Sequence, residues 1–229
     1  MRGVILIILA TCLAFSSSDS SCGLRAPIII PTYELPSANW LTGIQCRTRN
    51  RALEATCDPT IVREQAVQMI CDENVGPYNL AQVCDIFDYL QTNWGYVSDP
   101  YRSEFFATAE ESLHHFRGDC DDFSIALATC IRAVGGLTRI VAAYDFEGGH
   151  AYTQVCLGST NLLEVERYLH ARFPENGSNF EYCVQVDSWG NRWLNLDSRH
   201  RSPGGPLAKS SHGYQFILGH PEYCLDLGD

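Results

Sequence analysis

The chain has 229 residues, 45% of them hydrophobic and 19% charged, which is enough to bury one substantial core and too apolar for a disordered chain. Its 16 Lys and Arg against 27 Asp and Glu leave a net charge of −11, so no basic surface is available to neutralise a phosphate backbone, and nucleic acid is excluded as an expected partner. Eleven cysteines are too few for a disulfide scaffold yet many for a protein of the reducing cytosol, so the count has to be read against an address.

Met1-Arg2-Gly3 is a short positive head, Val4 to Phe15 an apolar run broken only by Thr11 and Cys12, and Ser16 to Ser21 a small, polar stretch. Such a run falls short of a bilayer core of about 30 Å. The pattern predicts a leader over residues 1–21, cut after Ser16 or Ser18 if it is a secretory signal. A lipoprotein leader stays open as an alternative, with Cys22 after Asp19-Ser20-Ser21 better placed than Cys12 inside the apolar run. The expected location is therefore extracytoplasmic, either secreted or tethered to a membrane surface through the N-terminus.

Residues 22–57 carry Pro and Thr without clear periodicity, which predicts an extended arm before a domain over 58–229. Asp58-Pro59 predicts an N-cap and first helical position, followed by Val62, Ala66, Met69 and Ile70 at helical spacing. Leu80, Val83, Cys84, Phe87, Leu90, Gln91 and Trp94 form one stripe whose only polar member is Gln91, so 79–94 should lay a helix on a core. Thr108-Ala109-Glu110-Glu111 is a capping box that opens a short helix to about His115. From Asp119 to Val134 apolar residues point nearly all round, which predicts a helix buried on most sides and ended by Gly135-Gly136.

Thr138 to Phe146 and His150 to Leu157 flank Glu147-Gly148-Gly149 as a hairpin. Leu162 to Phe173 reads as helical and 174–179 as a loop. Phe180 to Val186 and Arg192 to Asp197 form a second hairpin around Ser188-Trp189-Gly190-Asn191. Helices first and antiparallel strands afterwards make an α+β plan.

Gly118-Asp119-Cys120-Asp121-Asp122 carries the strongest chemical signal. It sets a thiol in the first turn of the buried helix, where unpaired amides and the positive end of the dipole favour the nucleophilic thiolate. The flanking Asp residues act against that charge, so helix capping is their expected purpose. A thiol nucleophile needs a base, and the base an orienting partner. His150 opens a strand directly after a Gly-Gly turn, and Asp197 closes the last strand of the second hairpin.

This order resembles the transglutaminase-like superfamily of papain-type cysteine enzymes. Asp99-Pro100, Phe105 to Leu113 and Gly118 to Phe123, leading into the apolar helix and Gly136 to Val141, look like the family's nucleophile block. Gly149-His150-Ala151-Tyr152 looks like its histidine block and Trp193 to Asp197 like its aspartate block. The resemblance covers a core of about residues 79–200 and implies a papain-like, transglutaminase-like α+β fold, with the nucleophile helix packed on an antiparallel sheet.

It further implies Cys120 as nucleophile, His150 as general base and acid, and Asp197 as the residue that orients the imidazole. No cofactor or metal is implied. The expected partner is a protein or peptide substrate, attacked at a carboxamide or peptide carbonyl to leave a thioester. Compact microbial members of the family favour hydrolysis. Cross-linking acyl transfer and a non-catalytic binding module on the same fold remain open. The resemblance leaves the second oxyanion donor open between Trp94 and Tyr96. An insertion at about 158–179 is expected to lid or narrow the cleft.

Other features have plainer readings. His114-His115 sits at a solvated helix end with no third ligand at metal spacing. Asp119, Asp121 and Asp122 lack the alternating loop and closing Glu of a calcium site. Asn176-Gly177-Ser178 is an acceptor pattern for glycosylation if the source is a eukaryote. With Cys12 in the leader, Cys22 reserved for lipid and Cys120 for chemistry, the remaining cysteines are Cys46, Cys57, Cys71, Cys84, Cys130, Cys156, Cys183 and Cys224. They permit up to four disulfides. Cys46 to Cys57 is the first pairing to expect, and Cys84 and Cys130 also read as core.

Overall fold

Helix capping and hairpin turns set the local order, and the computed structural model shows how they assemble. It describes residues 28–29, 53–54, 56–99, 105–144, 148–177, 180–187, 189–208, 212–218 and 224–226, so the leader and most of the arm lie outside the described residues. In chain order the elements are β1 (Ile28–Ile29), α1 (Arg63–Gln68), α2 (Leu80–Asn93), β2 (Gly95–Tyr96), α3 (Ala109–His115), β3 (Arg117–Gly118) and α4 (Cys120–Ala133). There follow β4 (Thr138–Tyr144), β5 (Gly149–Gly158), α5 (Leu162–Arg172), β6 (Val184–Val186), β7 (Arg192–Leu196), β8 (His212–Ile217) and β9 (Cys224–Asp226).

The caps explain the helix starts. Asn79 accepts from the Gln82 amide, Thr108 and Glu111 close the capping box, and Asp119 accepts from the Asp121 amide. The first helix departs from expectation. Asp58 Oδ1 takes both the amide and the hydroxyl of Thr60, at 2.9 and 2.7 Å. That closes a local turn and delays the helix to Arg63.

The sheet runs β1-β6-β7-β5-β4-β8-β9, antiparallel except where β1 joins β6. Two strands at its far side, β8 and β9, come from residues in which the sequence reading placed no element. α4 lies against β4 and β5. Its Phe123, Ile125, Leu127 and Ile131 join Ile86, Phe87 and Leu90 of α2 and Val155, Leu194 and Leu196 of the sheet in one core, each buried side chain contributing about 1.5–3 kcal/mol. Strand alternation divides β5: Ala151 and Val155 belong to that core, whereas Tyr152 packs with Val141 and Ala143 in a second cluster.

The insertion does not sit where a lid would. It leaves β5 at Gly158, eight residues and roughly 26 Å of strand beyond His150. α5 buries Val165 and Leu169, and Arg172 reaches Asp85 and Asp88 of α2 at 2.8 Å each. The segment therefore docks on the helical layer. The expected Cys46–Cys57 disulfide is not formed, because Cys57 is a free, buried thiol at 3.7 Å from Thr56 Oγ1. Cys71, Cys84, Cys130 and Cys156 are also free, and burial pushes the thiols of Cys57, Cys84 and Cys130 up.

Candidate active site

The start of α4 is set by its approach. β2 and β3 pair in parallel, with Gly95 opposite Arg117 and Tyr96 opposite Gly118. The Gly118 carbonyl accepts from the Val97 amide at 2.9 Å and from the Trp94 indole at 3.2 Å. Gly118 itself is at φ +154°, and a Cβ there would lie 2.3 Å from Asp122 Oδ2. Only glycine lets the chain pass that close to the helix it is about to enter. The Trp94 indole is thus spent on the backbone, and Tyr96 is 70% exposed.

Cys120 occupies the first position of α4, half-buried, and its Sγ accepts from the Ala151 amide at 3.4 Å. Burial pushes the thiol up to about 11, and Asp119 and Asp121 add to the rise that the Ala151 amide opposes. Burial and the two carboxylates thus act against the thiolate that the helix start favours.

His150 stands beside that amide at the start of β5. Thr153 lies opposite Leu196, so Asp197, one residue past β7, falls on the same face as Tyr152 and His150. His150 Nε2 and Asp197 Oδ1 are 2.9 Å apart, and the Asp197 side chain is fully buried. Burial alone would raise Asp197, but the hydrogen bonds from His150 and Arg199 prevail and hold it down at about 2. An ionised Asp197 places the imidazole N–H on Nε2 and leaves Nδ1 as the basic nitrogen. The ring stacks on Tyr152 with centroids 6.0 Å apart.

The structure thus pairs His150 with Asp197 and joins Cys120 to the histidine strand through the Ala151 amide. Among the described contacts no hydrogen bond links Sγ to the imidazole. Such bonds are commonly long without substrate and tighten on binding.

Two residues were missed by sequence reasoning as members of this site. Arg199 folds back on Asp197, its amide donating to Oδ1 at 2.9 Å and its Nη2 to Oδ2 at 2.9 Å. Gln91, the one polar member of the α2 stripe, donates to the carbonyls of Ser198 and His200 at 2.7 Å each. A polar residue in an apolar stripe was the only signal for Gln91. Arg199 had none beyond lying two residues from Asp197.

Asp119, Asp121 and Asp122 are the one described group whose oxygen ligands converge, lying within 4.8 Å of one another. Their oxygens already accept from the amides of Asp121, Asp122 and Ala107, which is capping geometry. Burial first, and then the neighbouring Asp119, raise Asp121 strongly.

No curated protein sequence matches the chain significantly. Among solved structures, a candidate cysteine protease from Cytophaga hutchinsonii is similar at 14% identity and TM-score 0.44, over 76% of this chain and 48% of that one. This chain thus spans about half the length of that relative. Legionella pneumophila LapG is similar at 14% identity and TM-score 0.42, over 70% and 85% of the two chains. Its EGTA-treated form gives 14% identity and TM-score 0.41, over 89% and 92%. The family model described as the transglutaminase-like superfamily matches residues 70–198. That match runs from the residues after α1 to just past Asp197 and takes in α4, β5 and β7 in the family's order, so with more than half of its length under the family model the chain belongs to the transglutaminase-like superfamily.

Proposed function

We propose that the protein is a cysteine hydrolase, a peptidase or amidase acting through a thioester acyl-enzyme on a protein or peptide outside the cytoplasm. The observation that carries this reading is the His150–Asp197 pair at 2.9 Å, its carboxylate buried, beside a strand amide that holds the Cys120 sulfur. As substrate enters, His150 Nδ1 takes the thiol proton while Sγ attacks the carbonyl carbon. The resulting oxyanion is met by the Cys120 backbone amide. His150 returns the proton to the departing amine or ammonia as the C–N bond breaks. Water, deprotonated by the same nitrogen, then cleaves the thioester to a carboxylate and restores the thiol.

Because burial keeps Cys120 a thiol at rest, its reactivity depends on His150 rather than on a standing thiolate. The secreted or surface-tethered location is supported by the Arg2-led apolar run before Ser16.

The test is labelling by a thiol-directed probe built on a peptide carboxamide. One thiol should be modified and the label lost in Cys120→Ala. Modification of Cys71 or Cys156 instead, with Cys120 untouched, would sink the enzyme reading in favour of a binding module. Ammonia release from glutamine peptides, followed with and without a primary amine, separates hydrolysis from acyl transfer, and amine incorporation as the main product would overturn hydrolysis.

A further inference from the structure

The turn after β7 is bound far more closely than a surface connection requires. Gln91 reaches across from α2 to hold the carbonyls on both sides of Arg199, those of Ser198 and His200, at 2.7 Å each. His200 Nε2 is 2.9 Å from the Pro206 carbonyl, and Asn195 donates to the carbonyls of Gly205 and Pro206 at 2.8 and 3.0 Å. These ties fix the backbone on either side of Arg199. Its guanidinium then lies along one edge of Asp197, Nη2 donating to Oδ2 at 2.9 Å and Nε shared between Oδ2 at 3.2 Å and Oδ1 at 3.4 Å, while its amide meets Oδ1.

Oδ1 is the same oxygen that faces His150 Nε2. A two-pronged guanidinium contact fixes the plane of a carboxylate, which a point charge does not. The Arg199 side chain is 51% exposed and the Asp197 side chain wholly buried, so the arginine covers the carboxylate from the solvent side and supplies the charge that makes burial of the anion tolerable.

We propose that Arg199 is a positioning residue of the triad, acting through Asp197 to hold the His150 imidazole with Nδ1 presented to Cys120, and that Gln91 anchors the turn that carries it. The proposal rests on the cysteine-hydrolase reading, in which His150 must act as base and acid. Without the guanidinium, Asp197 keeps only the partners on Oδ1, His150 and the residue-199 amide, Oδ2 loses its donors, and burial drives the group toward the protonated acid. A protonated Asp197 can no longer fix the Nε2–H tautomer.

The experiment compares the full chain with Arg199→Met and Arg199→Lys. Two readouts are followed, the rate of Cys120 alkylation by iodoacetamide at neutral pH and the 13C shift of the Asp197 carboxyl between about pH 3 and pH 6. In the unaltered protein the carboxyl signal should be flat over that range. In Arg199→Met it should titrate within it, and alkylation should slow by at least about tenfold. Arg199→Lys should recover part of the rate, and a few millimolar guanidinium should recover part of it in Arg199→Met through the opened, solvent-facing position.

Alkylation at the original rate with an unchanged carboxyl signal would overturn the proposal. So would a loss of rate that neither lysine nor guanidinium repairs while the carboxyl stays flat, since that pattern marks a merely structural arginine. If Cys120 of the unaltered protein reacts no faster than Cys130, the hydrolase reading fails instead, and the Asp197 titration still decides what Arg199 does.

Discussion

Two buried carboxylates of this fold meet arginine in opposite ways. On the helical layer Arg172 sits between Asp85 and Asp88, one cation between two anions. At the end of β7, Asp197 sits between the His150 imidazole and the Arg199 guanidinium, one anion between two nitrogen donors. The first network joins the insertion to α2. The second sets an imidazole, a side chain able to take and return a proton, on a buried carboxylate. Arginine between two carboxylates makes a rivet, and an imidazole on a fixed carboxylate can serve as a base.

The sharpest break in this comparison is His150→Ala. It should lower the rate of Cys120 modification by about 10²–10⁴, the usual span of a general base, and leave the helical layer intact by circular dichroism. The opposite pattern is expected of Arg172→Ala. Leaving Asp85 buried without its cation should cost about 3 kcal/mol in urea unfolding, while the modification rate of Cys120 stays as it was. A fall in that rate would mean that the two networks are coupled and that the contrast drawn between them is wrong.

Acid provides the next test. Asp197 is held at about 2 against an ordinary 3.8, so its contribution is complete above about pH 5 and is lost as the pH falls towards 2. Unfolding followed from pH 6 to pH 2 should lose roughly 2 kcal/mol through this group. Asp197→Asn should flatten that branch.

The last test has the opposite sign and concerns Asp121, which burial and then Asp119 raise. Its folded form retains a proton that the unfolded chain loses above about pH 4, so the penalty grows as the pH rises. Asp121→Asn imitates the protonated acid and should stabilise the protein by about 1 kcal/mol or more at pH 7, the gain vanishing below pH 4. A gain that persists at pH 3 would show that its cause is not titration.

Much of this was legible because it is local. Asn79, the Thr108–Glu111 box and Asp119 begin helices through bonds to amides two or three residues away, and β4 pairs with the next strand, β5, with Tyr144 opposite Gly149. The order of Cys120, His150 and Asp197 was readable for a different reason, since each marks the start or end of its own element. Less legible were β8 and β9, whose short apolar segments gain a partner only once β4 offers an edge. Asp58 misled because its side chain satisfied Thr60 at closer range than a helix could.

Sequence alone determined where α2, α3 and α4 begin, the α+β order, and which three residues stand at element ends with the chemistry of a thiol, a base and an acid. Tertiary structure decided what those groups are at rest. The helix start by itself favours a thiolate, but packing removes water from Cys120 and sets Asp119 and Asp121 beside it, so the thiol prevails. An isolated Asp197 would also be raised by its burial, but Arg199 and His150 converge on it and keep it ionised. Capping and strand alternation act over a few neighbouring residues and so can be read along the chain. Desolvation and the pairing of polar groups depend on residues far apart in sequence, such as His150 against Asp197, and exist only after the chain has folded.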